Sequence, residues 1–543
     1  MSSAKVSRRF SLLACALLLV SLAWAGASAR ALRVWAAADT ARPAPPATAT
    51  ASASAKANAA AGAISPELKA TPSGYAFTVA TAQPLAAVVR RFWPSTEYMT
   101  KAELDTALRS ANHLGKTQYV KAGQQLVIPG YEPQPIVERA IPVAPSFEVR
   151  AIYLTGTMAG SQMGMDKVRR WRAAGGNAVV FDVKDSDGSV NIPFHHPLAG
   201  QRSPAIPNLP KYVRWLHTQG LHVIARIALF RDERLVQQHP ELAVQSRRSA
   251  LASHPNATAA GASGAPQASP PQASSRQASP SQPWRENGKL VWTDPSNPQV
   301  QEYDLALAQQ TAAGGVDEIQ FDYVRFPAEG DQKDAQFAFQ KEHPQWARKD
   351  VISDFVARAY KLLHPAGVLV SLDVFGVMAW QYEVDVAHTG QEISVLARHC
   401  DVLSPMIYPS HFFGMEGYAN PGDAPEHFIS ESMDKFRSVV GDAQAAPSPP
   451  AARPGTAPDP STSAVLRPWL QAFAWRTKTY GVDYILTQVR VAKQHGGDGF
   501  LFWNARNDYA KPLAAMSEMR AQPGRYFRGD ELAKPAATIA TNK

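Results

Sequence analysis

Eight short apolar segments, separated by amphipathic stretches, recur along the chain and constrain its fold more than any other feature. They span residues 149–154, 178–183, 222–229, 318–323, 368–374, 402–408, 469–473 and 499–503. Each has the length of a buried strand, and regular alternation of strands with helices favours a parallel sheet with helical crossovers. Because eight such units favour closure over an open sheet, we predict an α/β fold, an eight-stranded parallel beta/alpha (TIM-type) barrel.

The stretches between these strands have the periodicity of helices. The predicted helices span residues 166–174, 209–219, 298–313, 351–363, 392–399, 425–440 and 482–494, and an eighth follows Pro512. Asp166 precedes the first apolar helical run and is predicted to cap that helix. No glycine-rich dinucleotide fingerprint follows the first strand, which further disfavours an open nucleotide-binding sheet.

Composition divides the 543 residues into five parts, one of which is the barrel. Residues 1–29 join three basic residues to an apolar run that is short for a bilayer span, which predicts a cleaved signal peptide. The mature protein is then exported to the periplasm or the extracellular space, with possible association to the envelope; an uncleaved segment would instead anchor it in a membrane. The remaining parts are a disordered linker (30–73), a small α+β module (74–131), the barrel (148–525) with disordered Ala/Pro/Ser-rich insertions (249–283 and 443–463), and a flexible tail (526–543).

Charge and cysteine content exclude some partners and some sources of stability. The formal net charge is +9, but part of it lies in the predicted signal peptide and no dense basic stripe follows, so no nucleic-acid partner is expected. Of the two cysteines, Cys15 lies in the predicted signal peptide. Cys400 therefore has no partner for an intrachain disulfide in the processed chain, and stability must come from packing.

Polar and aromatic residues cluster where the predicted strands end. In a barrel of this type the active site lies at the carboxyl ends of the strands. The residues at or just beyond those ends are Asp182, Lys184, Asp185, Arg226, Asp322, Tyr323, Arg325, Asp373, Trp380, Tyr408, His411, Gln471, Trp503 and Asn504. Strand alternation places Asp322 with Gln320 on the inner face, and it turns Ile319 and Phe321 toward the helices.

Two of these carboxylates have the placement that cleavage of a glycosidic bond requires. One group must be ionised, as nucleophile or base, and a second must be protonated to donate to the leaving oxygen. We assign the ionised role to Asp322, because a nearby guanidinium of Arg226 or Arg325 favours a charged carboxylate, and we assign the acid role to Asp373. The structural alternative for Asp322 is a salt bridge with Arg325 that closes the barrel rim, and a purely structural role is the alternative for Asp373.

The other strand-end residues are predicted to bind substrate. The alternatives are an internal ion pair at the strand end that carries Asp182, Lys184 and Asp185, and a packing role for each aromatic residue. Carboxylates and amides hydrogen-bond sugar hydroxyls, and the faces of Tyr323, Trp380, Tyr408 and Trp503 can stack on sugar rings. No cofactor and no metal are predicted, since His195 and His196 lack a partner at metal-ligand spacing. The function classes that compete with hydrolysis are carbohydrate binding without catalysis and metal-dependent hydrolysis or deacetylation.

Several segments resemble a bacterial family of glycoside-hydrolase-like barrels related to alpha-amylases. The matching segments are residues 149–155, 177–185, 292–298, 317–327 and 404–409, and the most specific is Asp322-Tyr323-Val324-Arg325-Phe326-Pro327. The resemblance implies hydrolysis of O-glycosyl bonds in a polysaccharide, with the fourth-strand aspartate, here Asp322, as nucleophile. Those barrels carry a glutamate acid on the fifth strand, where this chain has Asp373; Glu383 and Asp385 in the following loop are the alternatives.

The small module has a strand, two helices and a closing strand in its predicted order. The strands span residues 75–79 and 126–129, and the helices span residues 85–92 and 104–110. The segment Ala111-Asn112-His113-Leu114 and residues 123–129 resemble a LysM domain, although the family's Gly-Asp after the first strand is replaced by residues 80–83. The resemblance implies binding of peptidoglycan or N-acetylglucosamine, and the alternative is a folded spacer that binds nothing.

Overall fold

The computed structural model describes residues 68–72, 74–200, 203–252, 282–445 and 464–529. The predicted signal peptide and most of the predicted linker, insertions and tail lie outside these ranges. The described residues form two compact units, one of residues 140–207 and 220–529 and one of residues 68–139 and 208–219. Within the described ranges, no helix combines the length and the apolar character needed to cross a membrane.

The larger unit contains a closed barrel of eight parallel strands. These are β1 (Val149–Leu154), β2 (Ala178–Lys184), β3 (His222–Ala228), β4 (Glu318–Asp322), β5 (Leu369–Phe375), β6 (Val402–Ile407), β7 (Trp469–Gln471) and β8 (Gly499–Trp503). Each strand pairs with the next along the chain, and β8 pairs with β1 from Gly499 opposite Val149, which closes the sheet. The predicted fold class is confirmed, and every predicted strand end lies within two residues of the observed one.

Helices follow the strands in the predicted alternation. The main ones are α1 (Gln162–Ala173), α2 (Leu209–Thr218), α3 (Pro298–Ala313), α4 (Arg348–Leu363), α5 (Ile393–Leu396), α6 (Pro425–Ala445), α7 (Val482–Gln494) and α8 (Ala510–Ala521). Shorter helical turns span Gly156–Ala159, Glu233–Gln238, Pro240–Leu242, Arg247–Ala252, Phe339–Glu342, His364–Ala366, Gly376–Trp380, Glu383–Thr389, Pro409–His411, Pro421–Asp423 and Pro523–Tyr526. Short strands at Gln245–Ser246 and Ala335–Gln336 pair with each other, and Val465–Leu466 pairs with β6.

The predicted cap of α1 is wrong. The helix begins at Gln162, because the side chain of Ser161 accepts a hydrogen bond from the backbone N–H of Gly164 at 3.1 Å and caps the first turn. Asp166 lies inside the helix and pairs with Arg169 at 3.0 Å. An aspartate that precedes an apolar helical run therefore occurs here in the second turn of the helix, and not only at a helix cap.

Side chains of the barrel strands alternate between the interior and the surrounding helices, as predicted. The ring of Phe321 on β4 packs against Phe355 of α4, with ring centroids 6.2 Å apart. Its neighbour Gln320 points the other way, and its Nε2 donates across the barrel to Ser404 Oγ on β6 at 3.2 Å. The same parity puts Asp322 on the inner face.

A buried ion pair occupies the barrel interior at the amino-terminal ends of the strands. Arg467 Nη1 donates to both carboxylate oxygens of Glu318, at 2.9 and 2.7 Å, and His222 Nε2 lies 3.1 Å from Glu318 Oε2. The side chains of Glu318 and Arg467 are fully buried. Burial alone would raise the pKa of Glu318, but Arg467 and His222 lower it to about 2.

Residues 68–139 of the smaller unit contain a three-stranded antiparallel sheet and two α-helices. The strands lie in the order Leu68–Thr71, Gly74–Thr78 and Gln125–Ile128, and the helices span Leu85–Phe92 and Lys101–Ala111. Two-residue strands at Gln83–Pro84 and Tyr119–Val120 also pair. The amide of Asn112 donates to the carbonyl of Val127 at 2.8 Å and accepts from its N–H at 2.7 Å, which ties the second helix to the last strand.

The first of these strands corrects the predicted linker, which extended to residue 73. Residues Leu68–Thr71 pair with Gly74–Thr78 in antiparallel register, and Leu68 is buried in the core of the unit. A single apolar side chain among small and polar neighbours carries no period-two signal. The strand Leu68–Thr71 therefore depends on its pairing with Gly74–Thr78 and not on a hydrophobic pattern of its own.

Replacing Glu318 by Gln is expected to destabilise the barrel by about 3–5 kcal/mol, because Arg467 then stays buried without a counter-charge. Urea unfolding followed by circular dichroism measures the change. The matched control is Asp354→Asn, which removes a carboxylate that pairs with Arg358 at 2.9 Å on a partly exposed helix face, and it should cost about 0–1 kcal/mol.

The Glu318 contribution also has a defined pH dependence. The folded-state pKa of about 2 lies below the ordinary value of 4.5, so the stabilisation is present above about pH 4.5 and is lost as the pH falls toward 2. The difference in the free energy of unfolding between the wild type and Glu318→Gln should therefore shrink as the pH falls from about 4.5 toward 2. A difference that stays constant with pH would contradict the assignment.

Candidate active site

An open cavity lies at the carboxyl ends of the barrel strands, where the sequence predicts the active site. Its lining residues are Arg226, Arg231, Glu286, Trp292, Asp322, Tyr323, Arg325, Ala328, Glu329, Asp373, Phe375, Met406, Tyr408, His411, Trp469 and Trp503. Both predicted catalytic carboxylates are among them. So are the predicted substrate-binding residues Arg226, Tyr323, Arg325, Tyr408, His411 and Trp503.

The guanidinium of Arg226 organises the acidic side chains of this cavity. Its Nη2 and Nε donate to Asp322 Oδ2 at 2.5 and 3.2 Å, and its Nη1 donates to Asp182 Oδ1. Its Nε also lies 3.8 Å from Asp373 Oδ2. Burial would lower the pKa of Arg226, but Asp182 and Asp322 hold it well above its usual value.

Asp322 ends β4 with its carboxylate held from two sides. Besides the two Arg226 donors, the backbone N–H of Tyr323 donates to Asp322 Oδ1 at 2.5 Å. Tyr323 has a φ of 53°, in the left-handed region that L-residues rarely adopt. The side chain of Asp322 keeps 11% of its surface exposed. Charge-assisted donors and partial exposure suit an ionised carboxylate that can meet a ligand.

Asp373 lies deeper than Asp322. Its Oδ1 accepts from the indole N–H of Trp469 at 2.7 Å. Its Oδ2 is sealed from solvent and accepts no hydrogen bond from the described residues. Burial, and then the charge of Asp322, raise the pKa of Asp373 well above its usual range, which favours the protonated form of this carboxyl group.

Arg325 does not form the alternative rim salt bridge with Asp322. Its guanidinium packs over the rings of Trp292 and Phe375, at 4.8 and 4.3 Å from the centroids, and donates to the carbonyl of Phe326 at 3.1 Å. Burial lowers the pKa of Arg325. Asp322 is therefore left to pair with Arg226.

Asp182 contacts Arg226, Asp185 lies beside Asp182, and neither lines the cavity. The hydroxyl of Tyr153 donates to Asp182 Oδ2, so Asp182 is held between Tyr153 and Arg226. Asp185 Oδ2 accepts from Asn191 Nδ2 at 2.9 Å. Burial, and then the charge of Asp182, raise the pKa of Asp185 to about 9. Asp182 is therefore placed to orient the guanidinium, and neither carboxyl group faces the cavity in which substrate binding was predicted.

The predicted substrate role of Lys184 is also not supported by its position. The strand register shifts between Asp182 and Lys184, which turns Lys184 away from the interior. Its Nζ lies 2.7 Å from Asp304 on α3 and 2.9 Å from Asp232, and the side chain is buried. Lys184 is thus part of an ion cluster between the sheet and a helix.

Three more predicted ligands brace loops outside the cavity. The amide of Gln471 accepts from the backbone N–H of Ser410 at 3.2 Å, and Asn504 Nδ2 donates to the carbonyl of Ala472 at 2.5 Å. Trp380 packs against Phe412 and Lys435. The alternative acids Glu383 and Asp385 belong to the helix Glu383–Thr389 and do not line the cavity either.

The sequence missed two glutamates that line the cavity. Glu286 lies in the connection between β3 and α3 and accepts from the indole N–H of Trp292 at 2.8 Å. Glu329 lies in the loop after β4 and accepts from Asn287 Nδ2 at 2.9 Å. Burial, and then the charge of Glu286, raise the pKa of Glu329 to about 7. The Trp292 segment was recognisable in the sequence, but no pattern marked either glutamate.

Among the described residues, no group of three or more His, Cys, Asp or Glu side chains is arranged to hold a metal ion. The ring of His196, one of the two histidines weighed above as metal ligands, stacks on Phe194 with ring centroids 5.7 Å apart. Its Nδ1 accepts from the backbone N–H of Leu198 at 3.2 Å.

Solved structures similar to this chain include two glycoside hydrolases. The PgaB (BpsB) glycoside hydrolase domain from Bordetella bronchiseptica is 13% identical, with 70% of this chain and 99% of that chain covered and a TM-score of 0.45. A chitinase from Chromobacterium violaceum ATCC 12472 is 12% identical, with coverages of 69% and 100% and a TM-score of 0.36. A hypothetical protein from Ruminiclostridium thermocellum ATCC 27405 is 29% identical, with coverages of 41% and 97% and a TM-score of 0.31. Because all three TM-scores are below 0.5, none of these likenesses informs the function.

A family model gives a more direct assignment. No curated protein matches the chain significantly. The model described as "Putative glycosyl hydrolase domain" matches residues 151–259 and 266–509, which is more than half of the chain and includes every strand end that lines the cavity. The chain therefore belongs to this glycosyl hydrolase family.

Proposed function

We propose that the protein hydrolyses a glycosidic bond in a cell-envelope or extracellular polysaccharide. The observation that carries this proposal is the pairing, in one cavity, of an Arg226-bound Asp322 carboxylate with carboxyl groups of raised pKa. Glycosidic cleavage needs one ionised and one protonated carboxyl group. Membership of a glycosyl hydrolase family supports the same chemistry.

In this proposal Asp322 is the nucleophile, or the base that activates a water molecule. Arg226 and the N–H of Tyr323 fix both oxygens of its carboxylate, so that one carboxylate face is directed at the cavity. The acid is a carboxyl group that the cavity keeps protonated. Asp373 is the acid that the sequence singles out, and its raised pKa agrees with a protonated state at neutral pH.

The walls of the cavity suit a sugar ring. Trp292, Tyr323, Tyr408 and Trp503 present aromatic surface, and such faces stack on the apolar faces of sugars. His411 adds a polar group: burial, and then the charge of Arg476, lower its pKa to about 3. A neutral imidazole can donate to or accept from a hydroxyl group.

The smaller unit is proposed to hold the exported protein on peptidoglycan or another polymer of N-acetylglucosamine. The proposal is supported by the sequence resemblance and by the Asn112 bonds that brace the closing strand. Sedimentation of the purified protein with insoluble peptidoglycan, with soluble N-acetylglucosamine oligomers as competitors, tests it. Protein that stays in the supernatant would contradict the proposal.

Replacing Asp322 by Asn should lower kcat by at least about 10³-fold, because the amide cannot act as nucleophile or base. Release of reducing ends from bacterial exopolysaccharides and peptidoglycan measures the activity. The control Asp187→Asn removes a carboxylate that lies outside the cavity and pairs with Arg234 at 3.2 Å, and it should leave kcat unchanged. A wild-type protein that cleaves none of these glycans, but binds one as well as Asp322→Asn does, would favour carbohydrate binding without catalysis.

Replacing Arg226 by Lys should lower kcat by about 10²-fold while the protein stays folded, because an ammonium group cannot bond Asp182 and Asp322 together in the fork geometry of a guanidinium. Steady-state kinetics with the same glycans measure the loss. Circular dichroism spectra that match those of the wild type exclude unfolding as its cause. An unchanged kcat would show that the position of Asp322 does not depend on Arg226.

A further inference from the structure

One wall of the cavity is built from residues that no barrel strand carries. The connection between β3 and α3 contributes Glu286 and Trp292, and the loop after β4 contributes Glu329. Asn287 Nδ2 donates to the Glu329 carboxyl group at 2.9 Å, so the two segments meet at this side chain.

The loop that carries Glu329 is also held by contacts of Trp284 with the two residues that follow Glu329. The indole N–H of Trp284 donates to the carbonyl of Asp331 at 3.1 Å. Gly330 has a φ of 73°, and a Cβ atom built there would lie 2.8 Å from the Trp284 ring. Glycine at this position lets the backbone pass close to the indole. These contacts fix the direction of the neighbouring Glu329 side chain.

The two carboxyl groups of raised pKa in the cavity, Asp373 and Glu329, differ in what they can contact. Asp373 is 1% exposed, one of its oxygens is taken by Trp469, and the other is sealed from solvent. Glu329 is 9% exposed and lies on the cavity wall. A general acid must come within hydrogen-bonding distance of the oxygen that it protonates. Glu329, on the cavity wall, can meet this requirement without rearrangement of the barrel, whereas the sealed Oδ2 of Asp373 cannot.

We propose that Glu329 is the general acid of the reaction and that Asp373 is a positioning residue for Arg226 and Trp469. The inference rests on the proposed function. The carboxyl proton of Glu329 passes to the glycosidic oxygen as the bond to the anomeric carbon breaks, and the bonding electron pair stays on that oxygen. The anomeric carbon gains a bond either to Asp322 or to a water molecule whose proton Asp322 takes.

The second half of the reaction restores both groups. If Asp322 forms the bond, the Glu329 carboxylate takes a proton from the water that hydrolyses the glycosyl ester, which regenerates the acid and frees Asp322. If water attacks directly, Asp322 releases its proton to solvent and Glu329 takes one up. In both cases one water is consumed and no other reactant is required.

The charges around Glu329 suit a proton donor at neutral pH. Burial and the carboxylate of Glu286 raise its pKa, and Arg325, the Asn287 bond and Arg231 lower it, which leaves a value of about 7. Asp322, in contrast, is bonded to a guanidinium. Two carboxyl groups whose surroundings favour opposite protonation states are the expected signature of an acid and its ionised partner.

Leaving-group dependence in the full-length protein tests the acid role. Phenyl and 2,4-dinitrophenyl glycosides of glucose, galactose, N-acetylglucosamine and N-acetylgalactosamine are the probes. Glu329→Gln should lose about 10²–10⁴-fold in kcat/KM on a phenyl glycoside, which needs a proton on its leaving oxygen, and less than about 10-fold on the dinitrophenyl compound, which does not. A role in structure alone would lower both rates equally.

The pH profile supplies a second readout and a matched control. On a phenyl glycoside the wild-type kcat/KM should fall as the pH rises above about 7, because the acid form of Glu329 is lost. Glu329→Gln should lack this fall. Glu286→Gln keeps the acid but removes a charge that raises its pKa, so the fall should move to lower pH while the leaving-group dependence remains.

The possible outcomes separate this inference from the proposed function. Equal losses on both leaving groups in Glu329→Gln, or a selective loss in Asp373→Asn, would overturn the acid assignment and leave the hydrolase proposal intact. A wild type that cleaves no glycoside and no polysaccharide would overturn both. Carbon-13 NMR of glutamate-labelled protein needs no substrate: a carboxyl signal that titrates near pH 7 and disappears in Glu329→Gln is expected, and its absence would also overturn the assignment.

Discussion

One buried guanidinium determines the chemistry of this cavity. Arg226 bonds Asp182 and Asp322 and lies near Asp373, so a single cation serves three carboxyl groups inside the barrel. Three buried carboxylates could not all remain ionised beside one positive charge. Asp182 and Asp322 pair with Arg226, and burial and the charge of Asp322 raise the pKa of Asp373 well above its usual range. The raised pKa of Asp373 thus follows from its burial and from the charge balance around one side chain.

The barrel interior separates the Arg226 charge cluster at the cavity from a second, structural ion pair. Glu318 and Arg467 form their ion pair at the amino-terminal ends of the strands, and Arg226 lies toward the carboxyl ends. Apolar side chains such as Val180, Ile224 and Leu501 lie in the interior core between the strands. Polar groups at the amino-terminal ends of the strands stabilise a barrel, whereas polar groups at the carboxyl ends face ligands. The Glu318 pair can therefore be fully buried without limiting access to Asp322.

The fold could be predicted from the sequence to a greater extent than the site. Periodicity is a local property, so eight strands and the inward direction of Asp322 were predictable. The direction of Lys184 was not, because a one-residue register shift in β2 turns it toward Asp304, and such shifts leave no mark in the residue pattern. Glu286 and Glu329 come from irregular connections, where no period exists and only the closed barrel brings the two segments together.

The division between strand and loop also explains why the proposed acid is not the deepest carboxyl group. A general acid works best when its pKa lies near the working pH, since it must hold a proton and still release it. Burial, and then the charge of Asp322, raise the pKa of Asp373 well above its usual range, and its Oδ2 is sealed from solvent. Glu329 is only partly shielded, and Arg325 and Arg231 offset the effect of Glu286, which leaves its pKa near neutrality. A loop at the cavity wall provides this intermediate environment, which the barrel interior cannot provide.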